Sequence, residues 1–147
     1  MTPSAAIPAG PAQPFAAPAM PTRRSRTAGR VLSGVGVAFL LFDAAIKVLQ
    51  APQAIEGTVQ LGWPAHLLFG IGVLQLVLLV VYLVPRTAIL GAILWTGYLG
   101  GAVATHVRLE NPLFSHVLFP TYVAALLWAG LWLRDARAQA ILRRATV

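Results

Sequence analysis

Residues 67–105 read LLFGIGVLQLVLLVVYLV, PRT and AILGAILWTGYLGGAVAT. Each apolar run is 18 residues long, close to the roughly 20 residues with which a helix crosses a hydrocarbon layer about 30 Å thick. A helix of a soluble bundle carries polar residues along one face, whereas these two runs are apolar on every side. The three-residue turn between them leaves room only for a tight connection. We therefore predict two antiparallel transmembrane helices.

Two further apolar runs lie outside this hairpin. One covers residues 31–49, and the other ends at residue 133. Asn111-Pro112 suits an N-cap followed by proline at the first helical position, so the last helix is predicted over 112–133, with a kink at Pro120. The predicted helices are thus about 31–49, 67–84, 88–105 and 112–133. Together they predict an all-α integral membrane four-helix bundle over residues 30–143.

Composition supports a membrane protein. Hydrophobic residues make up 58% of the chain and charged residues 10%, against about 45–50% and about 25% in soluble domains. A soluble enzyme and a nucleic-acid-binding module therefore fit the chain poorly. The chain has no cysteine, which excludes disulfide exchange, thiolate metal sites and iron–sulfur ligation by its own residues.

The segments outside the apolar runs differ in character. Six prolines fall within the first 21 residues, and such a density disfavours helix and sheet. We predict that residues 1–29 form a disordered cytoplasmic tail. The one sizeable loop, residues 51–64, contains a predicted short interfacial helix over 53–61.

The basic residues predict the orientation in the membrane. Nine of the eleven lie in the N-terminal segment, the 85–87 turn and the C-terminal segment, which the threading places on one side. We predict that the protein lies in the inner membrane of the cell. By the positive-inside rule, both of its termini are then expected to face the cytoplasm. The net charge of +7 then reflects topology and contact with anionic lipids, with no nucleic acid as partner.

Ionisable residues inside the spans are the candidate functional residues. Asp43 and Lys47 share a helix face at four-residue spacing, and charges within a membrane are costly enough to suggest a function. A self-neutralising ion pair is the structural alternative. The predicted topology places most of these polar groups in the outer half of the bundle, whereas Gln75 lies deeper in the membrane. The candidate ligand-binding or proton-relay residues are Asp43, Lys47, Gln75, His106, His116 and Arg108.

Two other patterns complete the candidates. Gly97 and Gly101 form a G-x-x-x-G motif, which permits close helix contact, either within the monomer or across a homodimer. The histidines show no zinc-binding spacing such as H-E-x-x-H, so no metal site is predicted. The sequence offers no catalytic residue and no reaction class, which makes a stand-alone enzyme the least favoured interpretation.

Several motifs resemble the DoxX-like family of small bacterial membrane proteins. They are Phe42-Asp43 with Lys47, Glu56-Gly57-Thr58, Val84–Ala88, Thr96–Arg108 and Leu131–Asp135. The resemblance covers about residues 30–143 and implies a four-helix membrane bundle. The family takes its name from a subunit associated with a quinone-linked oxidoreductase, so a quinone is a candidate cofactor. Beyond that the resemblance implies little chemistry, and the cofactor stays unknown. Gln75 stands where many relatives are expected to have glutamate, and Trp63 where they are expected to have tyrosine.

Three functional hypotheses follow. The first is an accessory subunit of a membrane redox system that binds a quinone or lipid, with redox proteins as partners. The second is a small carrier or proton-coupled transporter, which would need a dimer. The third is a purely structural membrane protein that binds partners, in which Asp43 and Lys47 only neutralise each other.

Overall fold

The structure, a computed structural model, describes residues 21–145. Within that range it contains helices and turns and no strand. A 3₁₀ turn (Ala65–Leu67) leads into the third helix, and a π-helical turn (Leu113–Val117) precedes the fifth. The α-helices are α1 (Arg23–Val48), α2 (Pro52–Gln60), α3 (Leu68–Leu83), α4 (Ala88–Arg108), α5 (Phe119–Arg134) and α6 (Ala136–Ala145).

Four helical segments within residues 21–145 are long and apolar enough to cross a membrane. They are Arg23–Val48, Ala65–Leu83, Ala88–Arg108 and Leu113–Arg134. At 1.5 Å per residue, the 21-residue α4 is about 32 Å long, which matches the hydrocarbon thickness. The chain is a multi-pass membrane protein, and the predicted all-α four-helix bundle is confirmed.

The first helix begins earlier than predicted. It starts at Arg23 instead of residue 31, because the Thr22 hydroxyl caps it by accepting a hydrogen bond from the Ser25 N–H at 3.2 Å. Residues 23–29, which were assigned to the disordered tail, therefore belong to α1. The part of the predicted tail over residues 1–20 lies outside the described residues.

The last spanning segment is interrupted where a continuous helix was predicted. The π-helical turn ends at Val117, and Pro120 lies in the first turn of α5, where a residue without an N–H costs no helical bond. Asn111 does not cap this segment. Its side-chain amide instead bonds Nδ1 of His106 at 2.9 Å. The predicted kink at Pro120 is thus a break between two helical pieces.

The spanning helices form a closed ring in which α1 and α4 each pack against both α3 and α5. The start of α1 and the end of α5 meet at one end of the bundle, which we call the terminal end, where the Ser25 hydroxyl donates to the Leu133 carbonyl at 2.8 Å. The opposite end carries α2 and is called the α2 end. Both short helices lie outside the ring: α2 confirms the predicted loop helix, and α6, which was not predicted, is capped by Asp135.

The terminal half of the bundle is tightly packed around Tyr82. This residue is fully buried, and its hydroxyl donates to the Leu127 carbonyl at 2.8 Å and lies 2.9 Å from the Ser33 hydroxyl. Glycines allow the backbones to touch here. A Cβ at Gly91 would lie 2.5 Å from Tyr82 Cα, and one at Gly130 would lie 2.6 Å from Ser33 N. The contacts join α1, α3, α4 and α5 at the terminal end.

Gly91→Ala should lower the free energy of unfolding by about 1–3 kcal/mol, the usual cost of overpacking, because the new methyl group would overlap the backbone at Tyr82. Gly100→Ala is the matched control on the same helix, since nothing lies within 4 Å of a Cβ there. That variant should be as stable as the wild type or up to about 1 kcal/mol more stable. Unfolding in detergent micelles measures both, and equal stability of the two variants would contradict the close packing of α3 on α4.

Candidate functional site

Asp43 is the centre of a polar cluster inside the bundle. Its Oδ2 atom accepts a hydrogen bond from the Lys47 ammonium, one turn along α1, and a second from the Gln75 amide Nε2 of α3 at 2.6 Å. The side chains of Lys47 and Asp43 are 18% and 28% exposed. The four-residue spacing on one helix places the two charges on the same face, and the packing of α3 against α1 adds the amide.

Gln75 is the most deeply buried member of this cluster, at 1% exposure. Its Oε1 atom is buried and has no hydrogen-bond partner among the described residues. A buried acceptor left unpaired costs about 1–3 kcal/mol. The other buried side-chain atom of this kind in the described part of the chain is the indole N–H of Trp95, which belongs to the tightly packed core.

An apolar cavity of about 650 Å³ lies beside the cluster. Asp43, Lys47 and Gln75 form a polar patch in its wall, and Tyr98, Thr105 and His106 contribute from α4. Most of the remaining wall is hydrophobic or glycine. The apolar wall residues include Phe39, Leu67, Ile71, Leu74, Phe119 and Val123.

Exposed residues of α3 and α4 form part of the cavity wall, so the cavity reaches the surface of the bundle on this side. Leu74 on α3 and Gly97 and Gly101 on α4 line it and are also exposed. The two helices touch at Gly91 near the terminal end, whereas a Cβ at Gly97 or Gly101 would meet no atom within 4 Å. The hairpin is therefore closed near its turn and open in its other half, on the face that a membrane protein turns towards lipid.

A second, more polar cavity of about 560 Å³ lies between α2 and the far end of α4. Its wall includes Gln53, Asn111 and His116, and it shares Asp43, Lys47 and His106, among others, with the apolar cavity. The rings of His106 and His116 meet edge to face, with centroids 5.8 Å apart. The charged pair thus lies where a cavity at the α2 end meets a cavity open to the membrane.

The structure brings together most of the candidate site residues but not all. Asp43, Lys47, Gln75 and His106 line the apolar cavity, while His116 lines only the polar one. Arg108 lines neither of these two cavities. Its guanidinium donates to the Leu61 carbonyl at 2.9 Å and packs over Gly62, whose φ of +78° suits glycine. Arg108 therefore fastens the loop after α2 to the end of α4.

A Cβ at Gly97 or Gly101 would meet no atom within 4 Å, so the monomer does not use this motif for close helix packing. Both glycines line the apolar cavity, and contact across a homodimer stays a prediction. Several wall residues were missed by the sequence analysis, Tyr98 and Thr58 among them. Tyr98 lies on the same face of α4 as Thr105, a spacing that helical periodicity could have revealed. Thr58 depends on how α2 folds back over the bundle, for which the sequence carries no signal.

The sequence model of the DoxX-like family matches residues 31–130. The chain belongs to the DoxX-like family. The match includes every residue named above in the two cavities, whereas α6 of this DoxX-like protein lies beyond it. No curated protein and no solved structure is significantly similar to the chain.

The polar residues around Asp43 in this DoxX-like bundle offer hydrogen-bond donors and acceptors of several kinds. No group of three histidine or carboxylate side chains within residues 21–145 is close enough to hold a metal ion. The cluster instead offers an ammonium, a carboxylate and an amide at one point. Such a set can both donate and accept hydrogen bonds in a largely apolar surrounding.

The pairing of Asp43 with Lys47 predicts non-additive mutational effects. Asp43→Asn or Lys47→Met alone leaves one charge unpaired in the membrane, whereas the double variant leaves none. We expect the double variant to be more stable than the sum of the single effects implies, by about 0.5–3 kcal/mol. Unfolding of all four proteins in lipid nanodiscs gives this coupling energy. A coupling energy of zero would show that the ion pair does not form.

Proposed function

We propose that this protein binds the polar head of a lipid-soluble molecule, a quinone or a lipid, in the cavity between α3 and α4. The observation that carries the proposal is a cavity with apolar walls, one patch of hydrogen-bonding groups and a side opening. Its volume of about 650 Å³ lies within the range of about 300–1,000 Å³ typical of small-molecule sites. A lipid-soluble molecule in the membrane would enter the cavity from the side, and its polar head would reach Asp43, Lys47 and Gln75.

The redox part of the proposal rests on the family resemblance. We infer that the protein is an accessory subunit, which holds the molecule for a partner protein that carries out electron transfer. The described residues support binding better than transport. The cavity is reached from the membrane and from the α2 end, whereas the contacts around Tyr82, Gly91 and Gly130 fill the terminal half.

The arginine distribution supports an orientation as part of this proposal. Both the start of α1 and the end of α5 lie at the terminal end, together with the α3–α4 turn that holds Arg86. Arginines cluster at that end, and basic residues favour the cytoplasmic side. We infer that the terminal end faces the cytoplasm across the inner membrane, and that the α2 end faces outwards.

Gly101→Leu tests the proposed site, because the new side chain would fill the cavity without meeting another atom at its Cβ. Gly100→Leu is the matched control: it lies next in sequence, has the same free space, and does not line the cavity. Mass spectrometry of molecules that co-purify from membranes should find a quinone or lipid enriched with the wild type and with Gly100→Leu, and lost from Gly101→Leu. Equal retention by both leucine variants would place the molecule outside the cavity.

A further inference from the structure

The orientation of the Gln75 amide is fixed by its neighbour. Asp43 pairs with the Lys47 ammonium and is a carboxylate, which can only accept hydrogen bonds. The amide nitrogen of Gln75 must therefore face Asp43, as the 2.6 Å contact shows. Its oxygen, Oε1, is consequently turned away from the carboxylate as an acceptor without a partner among the described residues.

Gln75 lines the apolar cavity, so a molecule bound there lies against the residue whose acceptor is unpaired. Lys47 lines the same cavity and uses only one of its three ammonium N–H groups on Asp43. Both Lys47 and Gln75 bond the same oxygen of Asp43. A single head group at this point can therefore contact both side chains.

We infer that the cavity selects a molecule whose head carries a hydroxyl group, which donates to Gln75 Oε1 and accepts from Lys47. A hydroxyl is both donor and acceptor, whereas a carbonyl or ether oxygen only accepts and would leave Oε1 unpaired. This inference rests on the proposed function and makes it more specific. If the ligand is of the quinone type, the cavity prefers the hydroquinone over the quinone.

The test uses three probes that share one ring and one alkyl chain: a decyl-substituted hydroquinone, its dimethyl ether and the corresponding benzoquinone. Binding to the full chain is measured without oxygen in lipid nanodiscs, with empty nanodiscs subtracted. The hydroquinone should bind about tenfold more tightly than either of the other probes, the difference expected for one buried acceptor satisfied or left unpaired. The wild-type protein alone therefore gives the first test of the preference, without any variant.

Gln75→Met removes the acceptor at nearly constant size and should reduce that preference to about twofold or less. Its affinity for the dimethyl ether should stay unchanged, which also shows that the cavity is intact. Thr105→Val is the control, because the Thr105 hydroxyl lines the same cavity but already donates to the Gly101 carbonyl. This variant should keep the preference.

The outcomes separate the inference from the proposed function. Equal binding of all three probes by the wild type would overturn the hydroxyl preference and leave the cavity as a ligand site. A preference that survives Gln75→Met or disappears in Thr105→Val would also overturn it, since another residue would then be the selective one. Binding of none of the probes would overturn both the inference and its assignment to this class of molecule.

Discussion

The carboxylate of Asp43 connects the fold of this protein to its chemistry. A charge at the centre of a spanning helix costs about 2.5–3.5 kcal/mol on insertion scales. Asp43 and Lys47 lie in the last two turns of α1, and their pairing lowers the cost of placing them there. The second hydrogen bond to Asp43, donated by Gln75, ties the pair on α1 to α3. The Oδ2 atom of Asp43 thus pairs with the Lys47 charge and joins α1 to α3. It also leaves Oε1 of Gln75 as the atom without a partner among the described residues.

The two halves of the bundle use small residues in opposite ways. Gly91 and Gly130 lie where helix backbones meet, and a side chain there would overlap the neighbouring chain. Gly97 and Gly101 lie two to three turns further along α4, where an added Cβ would meet no atom within 4 Å. Close packing at the terminal end anchors the helices, and their separation towards the α2 end leaves the cavity. The same residue type therefore builds both the rigid part and the open part.

Much of the fold could be predicted from the sequence because a membrane restricts the choices. Apolar runs of 18 residues have few alternatives to spanning helices, and the PRT turn admits only an antiparallel hairpin. The convergence of Asp43 and Lys47 followed from their spacing alone. The start of α1 was missed because the Thr22 cap extends the helix into an arginine-rich segment, and the break before α5 depends on local backbone geometry near Pro120.

The candidate site was only partly predictable, because its properties depend on which faces of the helices meet. Gln75 was noticed as a polar residue in an apolar helix, but its importance comes from Asp43 across the α1–α3 interface. An amide at position 75, in place of a carboxylate, changes the charge balance beside Asp43. A glutamate here would place a second carboxylate beside Asp43 with only one lysine to balance both, and one of the two would have to hold a proton. With glutamine, Asp43 stays paired with Lys47, and the cavity gains a neutral acceptor whose direction is set.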